Sequence, residues 1–352
     1  MRVTEVRAAY PRWRRLPAVG AWQAHFWQIA VRVVTDAGVI GYGYGGGGQP
    51  AVHVVNDHLS RFVVGRSLDN VGDIAAAWDE MYRVSMPYGR GGLAQMALSG
   101  VDLALWDALA RAERVPVHRL IAPRRKGRVR AYATGGDLEL AARYGYTAMK
   151  LSHRWRGEAD YEGAAELLTA ARAALGPQAQ LMIDCYLSWP VAVAARMAEL
   201  LAPYRPYWFE DVATPEHLAE LAALRPWVKP VLLAGGEHDF TPAAFAEIAR
   251  HGALDVWQPD VTWAGGITGV LRILELARTH RIPVVPHRGG EPWGLHLIVA
   301  SDCLNLAETM PHRWQQPRDE LWLGEPEVVD GTIDPGDEPG FGVRLNEDLL
   351  AW

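Results

Sequence analysis

The sequence predicts an α/β protein: a modified, TIM-like (β/α)8-type barrel behind an α+β N-terminal capping domain that the C-terminal tail completes. Three observations predict it. From about residue 128, short β-type runs alternate with Ala/Leu-rich helical runs about eight times, the rhythm of a closed parallel sheet. Before that point, strands come first and helices follow. Third, ionisable residues end the β-type runs one after another. They are Lys150, Asp184, Glu210, Glu237, Asp260, His287 and Glu308, at gaps of 34, 26, 27, 23, 27 and 21 residues, about one βα unit each.

In chain order, 3–8, 26–34 and 38–44 read as strands, and Asp36-Ala37-Gly38 supplies turn chemistry, so a β-meander is expected. The Arg/Trp/Pro-rich segment 10–25 between the first two strands is long for a loop, and such loops are often functional. Helical spacing covers 51–63, 71–82 and 93–112. The later β-type runs are 129–134, 147–151, 180–184, 207–210, 231–236, 254–259, 282–286 and 304–308. The helical runs are 161–175, 190–201, 215–224, 241–250 and 268–280; the last helix before the tail is not clean. An open doubly wound sheet satisfies the same order. The tail, 321–352, is rich in Gly, Pro and acid and reads as irregular. The expected divisions are a cap at 1–118, a barrel at 119–320 and a returning segment at 321–352.

The composition is that of a globular chain: 352 residues, 49% hydrophobic and 22% charged. Lys plus Arg total 35 against 41 Asp plus Glu, a formal charge of −6. That balance argues against a nucleic-acid binder, which needs a concentrated basic face, and against docking on anionic membranes. Cys185 and Cys303 are the only cysteines, so no disulfide framework is expected and a reducing cytoplasm fits. The basic N-terminus lacks the apolar core of a secretory signal, and no run of about 18 apolar residues occurs.

In a barrel, the C-terminal strand ends meet at one mouth. Carboxylates gathered there repel one another, and a divalent cation removes the penalty. Asp184, Glu210 and Glu237 offer all-oxygen ligation from consecutive strands, which favours Mg²⁺, one per subunit; no HxH or HExxH pattern points to zinc. Asp260 and His287 lie on neighbouring strands, where a carboxylate that fixes one imidazole nitrogen makes the other a general base. Lys150 is placed to neutralise a substrate carboxylate, and a protonated Glu308 to hydrogen-bond an enediolate oxygen. A lone acid at a strand end is ordinarily a cap or an ion-pair partner; three in matching phase, followed by Asp260 and His287, are not. Asp211 is expected to face solvent or cap a helix, and Cys185 to pack. Gly43-x-Gly45-x-x-Gly48 matches a dinucleotide fingerprint but lacks the parallel strand after its helix, so it reads as a flexible flap.

The context of these residues resembles the mandelate racemase-like group of the enolase superfamily. The resemblance rests on Met149-Lys150-Leu151-Ser152, Ile183-Asp184-Cys185-Tyr186, Trp208-Phe209-Glu210-Asp211, Gly235-Gly236-Glu237-His238, Gln258-Pro259-Asp260, Val285-Pro286-His287 and the helical Val101-Asp102-Leu103-Ala104-Leu105-Trp106-Asp107. It covers nearly the whole chain. Asp184-Cys185-Tyr186-Leu187-Ser188-Trp189, Gln258 through Gly266, and Pro339-Gly340-Phe341-Gly342-Val343 are similar to sugar-acid dehydratases of the L-rhamnonate type. The resemblance implies Mg²⁺-assisted removal of the proton α to a carboxylate and loss of the β-hydroxyl, giving a 2-keto-3-deoxy sugar acid. It also implies a homo-oligomer, dimer to octamer.

Two departures bear on that reading. Many relatives carry a second lysine where this chain has Ser152, so a one-sided reaction run by His287 is expected rather than a two-base racemase. His287 is followed by Arg288-Gly289-Gly290-Glu291-Pro292-Trp293 instead of a small polar run, and Tyr88-Gly89-Arg90-Gly91-Gly92 resembles sugar-acid cycloisomerases of the same superfamily. The expected substrate contacts are His25, Arg12, His238 and Trp293 beside Lys150. Segment 10–25 and the glycine run 41–48 are expected to close over the mouth, and Trp189, Trp263 and Trp293 to wall the pocket.

Overall fold

The computed structural model describes residues 1–12, 28–123, 126–301, 306–311 and 321–352. The expected contact His25, most of the loop it sits in, and Cys303 lie outside the described residues.

Strands β1 (Val3–Ala9), β2 (Ile29–Thr35) and β3 (Ile40–Gly45) form the antiparallel meander in that order. Asp36 to Gly38 makes the turn, with Gly38 at φ 73°. One face of this sheet packs on the helix Leu93–Glu113, which is buried along nearly its whole length. The glycines of β3 are explained by that contact. A Cβ at Gly41 would lie 2.3 Å from the Ala104 carbonyl oxygen, and one at Gly43 2.1 Å from that of Gly100. The run expected to be a mobile flap therefore lies, at its first glycines, inside a strand pressed against a helix.

The same helix joins the layers through buried acids. Asp107 accepts from the Tyr42 amide of β3 at 2.9 Å and from the Phe341 amide of the tail at 2.9 Å. Asp102 accepts from the Thr268 amide at 3.1 Å, at the start of the barrel helix Gly266–His280, and the Trp106 indole donates to the Thr268 hydroxyl at 3.0 Å.

The barrel strands are β4 (Val129–Thr134), β5 (Ala148–Ser152), β6 (Gln180–Asp184), β7 (Trp208–Glu210), β8 (Leu232–Gly235), β9 (Val256–Trp257) and β10 (Leu306–Thr309). They pair in parallel in the order β10-β4-β5-β6-β7-β8-β9. Segment 284–287 supplies the remaining position through parallel bridges Trp257–Val284 and Asp260–His287. The Gly290 amide reaches the Glu308 carbonyl at 2.7 Å, so the sheet curls into a barrel rather than lying open. Tyr132, Ala148, Met182, Trp208, Ala234, Val256, Val285 and Leu306, one from each strand position, form a single buried cluster in its interior.

Helices alternate with the strands as expected. The exception is Pro292–Val299, which follows His287 and is buried on every side. A helix without a wet face has no polar/apolar period, which is why the sequence pattern there was unclear. The tail is more regular than its composition suggests. Strands β11 (Trp322–Leu323) and β13 (Arg344–Leu345) pair with each other, while β12 (Thr332–Ile333) pairs antiparallel with the start of β4.

Candidate active site

Side chains alternate along a strand, so the residue two beyond each interior one also faces the barrel axis, one layer higher. Stepping two from the buried cluster gives Thr134, Lys150, Asp184, Glu210, Gly236, Gln258, His287 and Glu308. Strand phase thus lifts six polar or ionisable groups besides Thr134 to the C-terminal mouth. Glu237 follows the glycine at 236, and Asp260 lies two beyond Gln258.

Lys150 is the hub of one half. Its buried ammonium pairs with Glu210, with Glu308 at 2.8 Å and with Asp184 at 3.8 Å. Glu210 also accepts from the Trp208 indole at 3.0 Å and the Gln258 amide at 2.7 Å. One ammonium among three carboxylates leaves excess negative charge. Burial raises the pKa of Glu210 and of Asp184 despite Lys150.

Glu308 behaves differently. Burial works to raise its pKa, but Lys150 and His287 outweigh burial, and Thr134 donates to it at 2.5 Å and the Arg288 amide at 2.8 Å. Its carboxylate is held ionised and saturated with donors, against the expectation that it would be a protonated donor.

The other half is a dyad. His287 Nδ1 lies 2.8 Å from Asp260, and Nε2 points to Glu237 at 3.3 Å. Burial disfavours the imidazolium, but Glu237, Asp260 and Glu308 push the His287 pKa up to about 9. Asp260 is buried, which would raise its pKa; Arg288, His287 and Thr262 override this and hold it well below the usual carboxylate range. Five hydrogen bonds converge on it: from His287, from Nε and Nη2 of Arg288 at 2.9 and 2.7 Å, and from the Thr262 amide and hydroxyl at 2.7 Å each. Trp263 covers the dyad, its ring 5.6 Å from His287.

Sequence reasoning noticed Arg288 only as a departure and missed its role in the site. Only 6% exposed, it holds Asp260 with one edge and donates to the Tyr44 hydroxyl of β3 at 2.9 Å with Nη1. Gln258 was legible, since it shares the inward phase. Asp211, expected at the surface, is buried, and burial drives its pKa well up. Its φ of 47° turns the chain after β7, so the residue after Glu210 comes back to the mouth instead of pointing out. His238 lies 3.5 Å from Asp211 and 3.6 Å from Glu237, beside the cluster as expected.

Two expected substrate contacts are not brought there. Trp293 is buried, stacked on Tyr44 at 5.7 Å and edge-on to Phe341 at 4.9 Å, and so fills the seam between cap, barrel and tail. Arg12 is exposed, with its amide on the Leu349 carbonyl at 2.7 Å beside the tail. Trp189 is likewise buried, against His153 and Phe209.

Comparison with known proteins agrees with this geometry. Residues 3–122 match the family model "Mandelate racemase / muconate lactonizing enzyme, N-terminal domain", and residues 137–349 match "Enolase C-terminal domain-like". The chain belongs to the enolase superfamily. An L-rhamnonate dehydratase of Saccharopolyspora erythraea is 33% identical over 91% of this chain and 84% of its own length. Rhamnonate dehydratase from Gibberella zeae, crystallised with Mg, superposes with a TM-score of 0.90 at 26% identity, covering 99% of this chain and 96% of that one. The 3,6-anhydro-D-galactonate cycloisomerase from Zobellia galactanivorans gives a TM-score of 0.86 at 26% identity over the full length of both.

Mg²⁺ is the cofactor of this superfamily, and the donor set here suits it. The mouth offers hard carboxylate oxygens with too little positive charge among them, and the Lys150 ammonium stands where Asp184 and Glu210 meet. Among the described residues, the acids and histidines whose ligand atoms approach within coordinating range of one another are Asp211, Glu237 and His238. That group shares only Glu237 with the expected trio of Asp184, Glu210 and Glu237. The other two are drawn to Lys150. No helix among the described residues is long and apolar enough to cross a membrane.

Proposed function

We propose that the protein is a Mg²⁺-dependent sugar-acid dehydratase acting on an aldonate of the L-rhamnonate type. The observation that carries this reading is the single His287–Asp260 dyad facing the acid cluster, with Ser152 where a second base would stand. Asp184, Glu210 and Glu237 hold the metal in this proposal. When bound, it supplies Lewis-acid stabilisation to a substrate carboxylate whose α-proton is being removed.

The chain's own residues account for the rest. Lys150 supplies positive charge beside the carboxylate, and Glu308, held ionised, keeps that ammonium in place. Asp260 retains the proton on Nδ1 of His287, so Nε2 is the atom that accepts the α-proton. The C–H electron pair forms the enol double bond as the β-hydroxyl leaves. The proton on Nε2 goes to that hydroxyl and releases water, and the enol tautomerises to the 2-keto-3-deoxy acid. Glu237 raises the His287 pKa most among its neighbours, and a metal held by Glu237 would offset that charge and favour the neutral base. His238, partly exposed beside Glu237, contacts the sugar chain.

The test is a screen of acid sugars with Mg²⁺, read by semicarbazide for keto-acid formation. An epimerase would exchange the α-proton in D₂O without yielding that product, whereas a cycloisomerase would form a keto acid only from an anhydro sugar acid and not from the open-chain aldonate. His287→Asn should lower kcat by about 10²–10⁴-fold. Near wild-type turnover in that variant, or full activity after EDTA stripping, would contradict the proposal.

A further inference from the structure

The barrel has a second concavity at the opposite end from the acid cluster. An open cavity of about 690 Å³ lies where β6, β7 and β8 begin, within the size range of small-molecule sites. Arg130, Arg172, Arg205, Lys229, Tyr207 and Trp227 line it, and Glu199 is the acidic residue of the lining.

Its positive charge outnumbers the negative. Lys229 pairs with Asp255 at 2.6 Å, but among the described residues none of the three guanidiniums meets a carboxylate. They are instead held by neutral acceptors. Arg172 donates to the carbonyls of Pro177, Ala179, Tyr204 and Arg205. Arg130 donates to Thr147 and to the Gln180 amide oxygen at 2.7 Å. Arg205 uses only Nη2, on the Pro177 carbonyl at 3.1 Å. Arg172 is thus fully occupied and fixed in place, whereas Arg130 and Arg205 keep N–H groups free. Burial lowers the pKa of Arg130, and burial together with Arg205 lowers that of Arg172, so the cations are gathered at a cost that an anion would relieve.

The rim is aromatic. Trp227 is 76% exposed, and Tyr207 is exposed with its ring 5.2 Å from Trp208. An indole left in water at the edge of a cationic cavity offers a stacking face beside the charge. Guanidiniums with free parallel donors suit phosphate oxygens.

We propose that this cavity is a binding site for a phosphorylated small molecule bearing a flat ring, in chemical class a nucleotide, with its phosphates at Arg130 and Arg205 and its ring on Trp227. The site is separate from the acid cluster and does not depend on the reaction proposed above.

Calorimetric titration of the full-length, Mg²⁺-replete protein with ADP, inorganic phosphate and adenosine tests it. ADP should bind at submillimolar concentration, and phosphate and adenosine each at least about tenfold more weakly. Arg205→Gln should weaken ADP and phosphate about tenfold or more, the loss of a hydrogen bond to a charged group. Trp227→Ala should weaken ADP about tenfold and leave phosphate unchanged. Both side chains are exposed, so both variants should fold, with unfolding midpoints to confirm it; Arg130→Gln is a further variant. Absence of ADP binding at millimolar concentration, equal affinity for ADP and adenosine, or ADP binding unaltered by both variants would overturn the proposal.

Discussion

Replacing Arg288 with methionine would test whether the guanidinium is what allows Asp260 to remain charged in the interior. The variant removes two of the five hydrogen bonds on a carboxylate that is 1% exposed, and leaves those from His287 and Thr262. Hydrogen bonds to charged groups contribute about 1.5–3 kcal/mol each. Removing one partner of a buried ion pair costs about 3–5 kcal/mol. The two routes overlap at about 4 kcal/mol, the expected loss. Urea unfolding of the full chain, followed by circular dichroism, reads it as a fall in the transition midpoint. Arg288→Lys should fall between, since an ammonium cannot reproduce the forked contact. The double variant Arg288→Met with Asp260→Asn should recover a large part of the loss, because it removes the orphaned charge. A loss below about 1 kcal/mol in the single variant, or no recovery in the double one, would refute the argument.

Other expectations follow from the cap. Gly43→Ala forces a methyl group onto the Gly100 carbonyl and should destabilise by about 1–3 kcal/mol or more, read by the same unfolding assay; a neutral substitution would mean that the sheet and helix are not in contact there. Burial raises the Asp102 pKa from 3.8 to about 7, against the opposing bonds from Thr268. The folded state therefore binds this proton more tightly than the unfolded chain. Its contribution is complete below about pH 4 and is lost as pH rises through 7, roughly 4 kcal/mol in all. Asp102→Asn should flatten that part of the stability profile, and an unchanged slope between pH 4 and 7 would contradict the assignment.

Strand phase made much of the site legible. Because side chains repeat every two residues, a polar residue ending an apolar run must face either the axis or the helices. The spacing of Lys150, Asp184, Glu210, His287 and Glu308 already placed them at one end. What was misread depended on contacts distant in sequence. The glycines of β3 look like a loop until the backbone of the 93–113 helix is laid against them. Trp293 follows His287 closely, but its helix is buried all round and carries it away from the mouth. Asp211 is expected to face solvent or cap a helix, but its left-handed φ turns it back to the mouth. Glu308 can donate to an enediolate oxygen only if protonated, whereas the ammonium of Lys150, from a strand two positions away in the barrel, holds it ionised.

The strand β12 beside β4 sets an order on how the chain is completed. β4 is the earliest barrel strand to leave the ribosome, yet the lower part of its edge is filled by residues 332–333, about 200 residues further along the chain. Until those residues emerge, backbone donors near position 131 wait for a partner such as the Gly331 carbonyl, 2.8 Å away in the finished fold. A nascent chain that has not yet reached residue 331 exposes a raw sheet edge, the sort that recruits other strands.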